Sequence, residues 1–405
     1  MQPWRILTQV ASHAILFPHP TPIAAAIPAP TSMKLFPELE NLVRALLQEH
    51  LDAADLSAQI SVATAGTSSM SWPTLCQELL KSEPAHQPPS STEDFDPFVH
   101  LQVCVSSSTT SDSRFAQGAL SRPLYLAVSE TLRECFELSG KWPAHVKSSE
   151  VVLLADTNAT RLKEIEEEMQ SLVTLYINPA TDLAAKKALL KSFFFTTLAP
   201  IDIRPYLRLR TTTGSRLARM PPTLRECLAS FVTVYERKGA QPVRKGLKPS
   251  KLTVGAKALT KHWHRDVENG FWGVATGTER AKNETANNVF TKILTNAAWI
   301  NLHSLPHDIT AYEIRNPQGY GVRWELRESS TAGSSPIDAT TSTSSSVGTA
   351  TASSPADTIT TTLTSAGAAA STSATSAVGD TDEPWTFRGF LEPQMVGGHQ
   401  NGWVH

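Results

Sequence analysis

The chain has 405 residues, of which 40% are apolar and 7% aromatic, and a formal net charge of −2. That length allows two or three domains, but the apolar share is low for a wholly folded chain, so part of it is expected to stay unfolded. The longest apolar runs, 23–27 and the stretch around 193–195, fall far short of the roughly 18 residues a spanning helix needs. Cys76, Cys104, Cys135 and Cys227 form no C-x-x-C pair, which argues against a cysteine zinc site and for reduced thiols inside the cell.

Residues 1–33 hold Arg5, no acid and many prolines. They read as a disordered or targeting tail; a mitochondrial address would want more arginines and fewer prolines, so a cytoplasmic or nuclear location is expected. Residues 34–236 read as a mostly helical region. Phe36, Leu39, Val43, Leu46, Leu47 and Leu51 recur at three-and-four spacing, which places one apolar stripe on a helix over 34–52. After a Pro- and Ser-rich break over 82–96, Val99, Leu101, Val103 and Val105 alternate as a strand would. Helical spacing returns over 122–138, 160–176 and 180–195, the last two as an antiparallel pair, and again from Leu224 to Tyr235. The pentapeptide Thr-Leu-Arg-Glu-Cys occurs at 131–135 and at 223–227, but the flanks differ and no repeat is inferred.

Charge is segregated. Between Arg204 and Arg265 stand 15 Lys and Arg against only Glu226 and Glu236, a local balance of +13 that leaves −15 for the rest. A segment of this kind attracts polyanions. Its densest part, the linker 237–251, carries Arg237, Lys238, Arg244, Lys245, Lys248 and Lys251 among glycines and prolines, and reads either as a flexible anion-binding arm or as a solvated connection.

Residues 252–327 and 384–405 read as one α+β domain split by an insertion over 328–383. The insertion is rich in Ser, Thr and Ala and holds no aromatic residue, Lys or Arg. It cannot bury enough apolar area to offset its conformational entropy and is expected to be disordered. Closing a long loop costs only logarithmically more than closing a short one, so strands on its two sides can still pair. A helix is expected over 285–302, strands over 310–315, 321–326 and 386–391, and a turn at Asn316-Pro-Gln-Gly319. The result is a small helix-on-antiparallel-meander domain after a mostly helical N-terminal region, an α+β class.

The motifs Lys261-His-Trp-His-Arg265, Phe271-Trp-Gly273, Trp299-Ile-Asn-Leu-His303, Tyr312-Glu-Ile-Arg315 and Gly319-Tyr-Gly-Val-Arg-Trp324 follow one another in this domain. They continue into Phe387-Arg-Gly-Phe-Leu-Glu-Pro393, Gly398-His399 and Gly402-Trp-Val-His405. Together they resemble a family of fungal and plant proteins to which no activity is attached, over residues 252–326 and 385–405. Trp263 and Val322 stand where that family has small residues, and Val396 and Gly397 where it has acids. The resemblance implies no mechanism and no cofactor.

Arg323 and Arg388 on neighbouring strands are candidates for bidentate anion binding, although cross-strand pairing with acids on the solvent face explains them more simply. His262, His264, Arg265, Glu313, Trp324, Glu392 and His399 are pocket candidates, with a histidine paired to Glu313 or Glu392 as an acid–base option. The histidine spacing predicts no metal site, no motif names a cofactor, and aromatic packing is the ordinary role of the tryptophans. The leading reading is an intracellular binding protein that engages an anionic partner, nucleic acid above all. An enzyme acting on a small carboxylate or phosphate through an Arg/His/Glu pocket, and a scaffold that docks a protein, are the alternatives.

Overall fold

The structure is a computed structural model that describes residues 36–58, 70–83, 101, 116–147, 156–236, 250–267, 269–306, 309–327 and 384–393. The expected tail, the basic positions Arg237, Lys238, Arg244, Lys245 and Lys248, the insertion 328–383 and His399 lie outside the described residues. So does the expected strand over 99–105, except for Leu101, which is helical.

The described helices are α1 (Leu39–Ala58), α2 (Trp72–Leu80), α3 (Tyr125–Glu137), α4 (Ala144–Lys147), α5 (Ala159–Tyr176), α6 (Leu183–Ser192), α7 (Leu224–Val232), α8 (Val254–His262) and α9 (Glu279–Thr295). Strands β1 (Trp299–Leu305), β2 (Ile309–Arg315), β3 (Gly321–Arg327) and β4 (Thr386–Leu391) form one antiparallel sheet in the order β1-β2-β3-β4. The class is α+β. The α5–α6 pair arises as its spacing predicts, with Asp182 accepting from Ala185 N at 2.7 Å to start α6. The two copies of Thr-Leu-Arg-Glu-Cys do different work. Thr223 and Glu226 form the reciprocal cap that opens α7, whereas Thr131 lies inside α3 and donates to Tyr206 O at 3.1 Å.

One further element departs from the sequence reading. The expected helix over 285–302 is α9 followed by β1. Thr295 Oγ1 donates to Thr291 O at 2.8 Å and Asn296 Nδ2 to Lys292 O at 3.0 Å, so side chains take up the last carbonyls and the helix stops. The Trp-Ile-Asn-Leu run beyond it then pairs with β2. His262 and His264 lie at the end of a helix. Thr253 Oγ1 caps α8 through Ala256 N at 3.1 Å, His262 ends that helix, and His264 sits in the 3-10 turn that follows.

One face of the sheet is covered by helices. Ile300, Leu302, Tyr312, Ile314, Val322, Trp324, Phe387 and Phe390 are buried against Phe290, Ile293 and Leu294 of α9 and Phe231 of α7. Phe231 is the hub, with ring centroids 4.3 Å from Phe290, 5.0 Å from Phe387 and 6.2 Å from Phe390. Contacts of this face reach well back along the chain. Trp324 Nε1 donates to Cys227 O at 3.2 Å and to Ser230 Oγ at 3.1 Å, and the Tyr312 hydroxyl donates to Gly118 O at 2.7 Å.

The chain on either side of 237–249 is clamped together: Tyr235 N donates to Leu252 O and Val254 N to Thr233 O, both at 2.8 Å. Segment 204–216 lines the free edge of β1, with Arg210 N on Ile300 O at 2.7 Å, Ser304 N on Gly214 O at 3.0 Å and Arg216 N on Leu302 O at 3.3 Å.

Close approach of α8 to α7 requires Gly255, where a Cβ would fall 2.2 Å from Phe231 Cε2. Gly255→Ala gains helix propensity of about 1 kcal/mol but forces the central ring out of place. A net loss of about 1–3 kcal/mol is expected in the denaturant midpoint; a variant as stable as the parent would show that the α7–α8 contact is looser than described.

Candidate functional site

The other face of the sheet is polar, because each strand alternates and the apolar half of the alternation is spent on the helices. The register aligns Asn301, Glu313, Arg323 and Gly389 in one row across β1, β2, β3 and β4. Trp299, Arg315 and Gly321 form the next row on one side; His303, Ala311 and Glu325 form it on the other. Gly389 adds no side chain beside Arg323, and among the described residues a Cβ there would meet nothing within 4 Å.

Glu313 is the centre of this face. Its side chain is 2% exposed. Oε1 accepts from Arg315 Nε at 2.5 Å, and Oε2 accepts from Arg323 Nε at 2.9 Å and Nη2 at 2.6 Å. His303 Nε2 approaches Oε2 to 3.5 Å, within ion-pair reach but too long for a well-formed hydrogen bond. Burial by itself would raise the Glu313 pKa. The Arg315 charge, the His303 contact and the Arg323 charge outweigh it and hold the carboxyl well below the usual carboxylate range. Two guanidiniums on one carboxylate leave surplus positive charge. Arg315 is itself buried, tied to Gly319 O at 2.6 Å and Glu392 O at 3.0 Å, whereas Arg323 is 21% exposed and reaches solvent.

A third guanidinium stands behind this row. Arg204 is fully buried, and its Nη2 donates to Asn301 Oδ1 and Arg210 O, each at 2.5 Å, and to Leu302 O at 3.2 Å. Its remaining bonds go to Thr211 Oγ1 and Arg216 O, so every partner is a neutral oxygen. Burial pushes its pKa down to about 9. Asn301 is completed by Ser215 Oγ and Thr212 Oγ1, at 2.9 and 2.8 Å.

A second group lies at the end of β4. His262 Nδ1 is 2.8 Å from Glu392 Oε1, which Arg265 Nη1 also approaches to 3.4 Å. Burial would raise the Glu392 pKa; the His262 contact and the Arg265 charge lower it. The two groups meet at Arg315, which bridges Glu313 and the Glu392 backbone.

The structure thus brings Glu313 and Arg323 together, and His262, Arg265 and Glu392 together, out of the residues singled out in the sequence. Arg388 is not part of a joint fork with Arg323: it projects at the margin, 40% exposed, and pairs with Glu325. Trp324 is no pocket residue, since it is 0% exposed on the helix side. His264 is exposed and edge-on to Trp263 at 6.2 Å, and Lys251 is exposed at the foot of α9, its backbone N–H on Glu279 Oε2 at 2.8 Å. Sequence reasoning missed His303, Asn301 and Arg204. The first two alternate with the core residues Ile300 and Leu302, a signal hidden once that stretch was assigned to a helix; Arg204 carries no local signal. Among the described residues no three His, Cys, Asp or Glu converge as metal ligands, and no helix is long and apolar enough to cross a membrane.

Residues 243–332 match the family model of the CdiA C-terminal tRNase toxin domain. The matched segment contains α8, α9 and β1 to β3, and so Asn301, His303, Glu313, Arg315 and Arg323; β4 lies beyond it. No curated protein and no solved structure matches the chain.

Glu313→Gln would leave two guanidiniums without their counter-charge, a loss of about 3–5 kcal/mol at neutral pH. Because the folded carboxyl ionises more readily than an unfolded one, its contribution is complete above about pH 4.5 and falls away as pH drops through the lowered folded pKa. Denaturant titrations of parent and variant at pH 7 and at successively lower pH should therefore show a gap that narrows only in the acid range.

Proposed function

We propose that this chain binds and cleaves RNA on the polar face of its sheet. The observation that carries the reading is the convergence of His303, Glu313 and Arg323 in a region of surplus positive charge, inside the segment that matches a tRNase toxin domain model.

RNA brings its own nucleophile, the 2′-hydroxyl next to each phosphate. A site that cleaves it needs a group to accept that proton and fixed positive charge for the phosphorane that develops. His303 supplies the first: it takes the proton as the 2′ oxygen attacks phosphorus, the P–O5′ bond breaks, and water protonates the leaving oxygen. The products are a 2′,3′-cyclic phosphate and a 5′-hydroxyl. Glu313, held ionised by its arginines, is too weak a base for this step; it stabilises the imidazolium and positions Arg323. Arg323 presents its solvent edge to a phosphate oxygen, and Arg315 and Arg204 raise the potential from below without touching substrate. Arg388, at the margin, is placed to follow the backbone of the bound strand.

A pool of transfer RNA incubated with the full chain should be cut, with cyclic phosphate ends and without loss of rate in EDTA. His303→Ala should lower the rate by on the order of 10²–10⁴-fold, and replacing the 2′-hydroxyl at the cut position by hydrogen should abolish cleavage there. Undiminished cleavage by the His303 variant would sink the assignment. Salt-sensitive binding without any cleavage would leave only an RNA-binding protein.

A further inference from the structure

A separate cleft of about 520 Å³ opens near the β2–β3 turn, lined by Asn269, Phe271, Lys292, Gln318, Tyr320 and Pro393. Phe271 and Tyr320 stack face to face, 3.8 Å apart and 3° from parallel, and Trp272 meets each of them edge-on at 5.1 Å. The stack is pinned. The Tyr320 hydroxyl is bonded to Asp266, which also accepts from Asn269 Nδ2 at 2.6 Å. Tyr320 covers one face of Phe271, and Lys292 Nζ stands 4.0 Å from the ring centroid over the other. Lys292 is exposed on α9, and among the described residues no carboxylate pairs with it. Among the described residues, one face of a fixed aromatic platform is therefore covered only by a flexible cationic chain, beside the exposed residues Asn269 and Gln318.

Arg315 links the chain beside this cleft to the Glu313 centre. Gln318 and Tyr320 flank Gly319, whose carbonyl holds Arg315 Nη1, and Pro393 follows Glu392, whose carbonyl holds the same nitrogen.

We propose that the cleft is a nucleobase subsite, which takes one unpaired base of the bound RNA. The base stacks on the open face of Phe271, Asn269 and Gln318 hydrogen-bond its edge, and Lys292 swings from the ring to the phosphate of the same nucleotide. Stacking tolerates every base, so the carboxamides set the preference, and a base still paired in a helix cannot enter. The proposal rests on the RNA reading above and adds the element that would choose where the strand is cut.

Titration of the full chain with the four nucleoside 5′-monophosphates and with the corresponding nucleosides, followed by ligand-observed NMR, tests it. Lys292→Gln should weaken the preferred monophosphate about tenfold and leave its nucleoside unchanged, and Phe271→Leu should weaken both about tenfold. Lys292 is exposed, so its variant remains informative if the Phe271 variant folds poorly. Binding unchanged in both variants, or no nucleotide bound by the parent chain, overturns the subsite. A chain that cleaves RNA at the same positions with either variant also overturns it, while nucleotide binding with the expected dependence but no RNA cleavage would uphold the subsite and remove the cleavage reading.

Discussion

A single buried carboxylate organises the polar face of the sheet. Glu313 cannot ionise at the centre of a sheet unless guanidiniums compensate it, and the fold supplies two, one from its own strand and one from the next. The compensation overshoots. Arg315 is then fixed tightly enough to hold the β2–β3 turn and the end of β4, and Arg323 is fixed with one edge toward solvent. Stability and surplus positive charge therefore share one arrangement, and the proposed hold on a developing negative charge would rest on that same fixed geometry.

The rest of the chain contributes by closing the β1 edge. Segment 204–216 runs along that strand, and Arg204 fastens it with donors to five oxygens, two of them in β1. Arg161 ties Asp202 at 2.7 Å, and Arg210 is tied to Asp156 through Nε at 3.1 Å, which anchors the same segment to α5 and to the chain just before it. An uncovered β1 edge would leave a row of unpaired backbone groups beside the site.

The sequence carried the sheet more clearly than it carried the site. β2, β3 and β4 were legible because their alternation is flanked by a proline–glycine turn and a low-complexity break, and α5 and α6 because their apolar stripes are long. β1 was not, since Ala297 and Ile300 continue the helical spacing of α9 and only the Thr295 and Asn296 side chains stop it. That one misassignment concealed His303 and Asn301. Arg323 and Glu313 were visible as cross-strand partners, but whether they formed an inert surface pair or a buried charged centre depends on the depth of Glu313, which is set by packing. Arg204 lay beyond any local reading, because its acceptors come from 6 to 98 residues away along the chain.

β4 is joined to β3 only through residues 328–383, yet it pairs with β3 along its length and places Phe387 and Phe390 against Phe231. The sheet is thus built from two peptides that happen to be covalently continuous. Scission within that connection would leave the last segment a separate chain, held by its pairing with β3 and by the contacts of Phe387 and Phe390. Since that fragment supplies the Glu392 carbonyl on which Arg315 rests, its departure would loosen the charged centre from outside the strands that carry it.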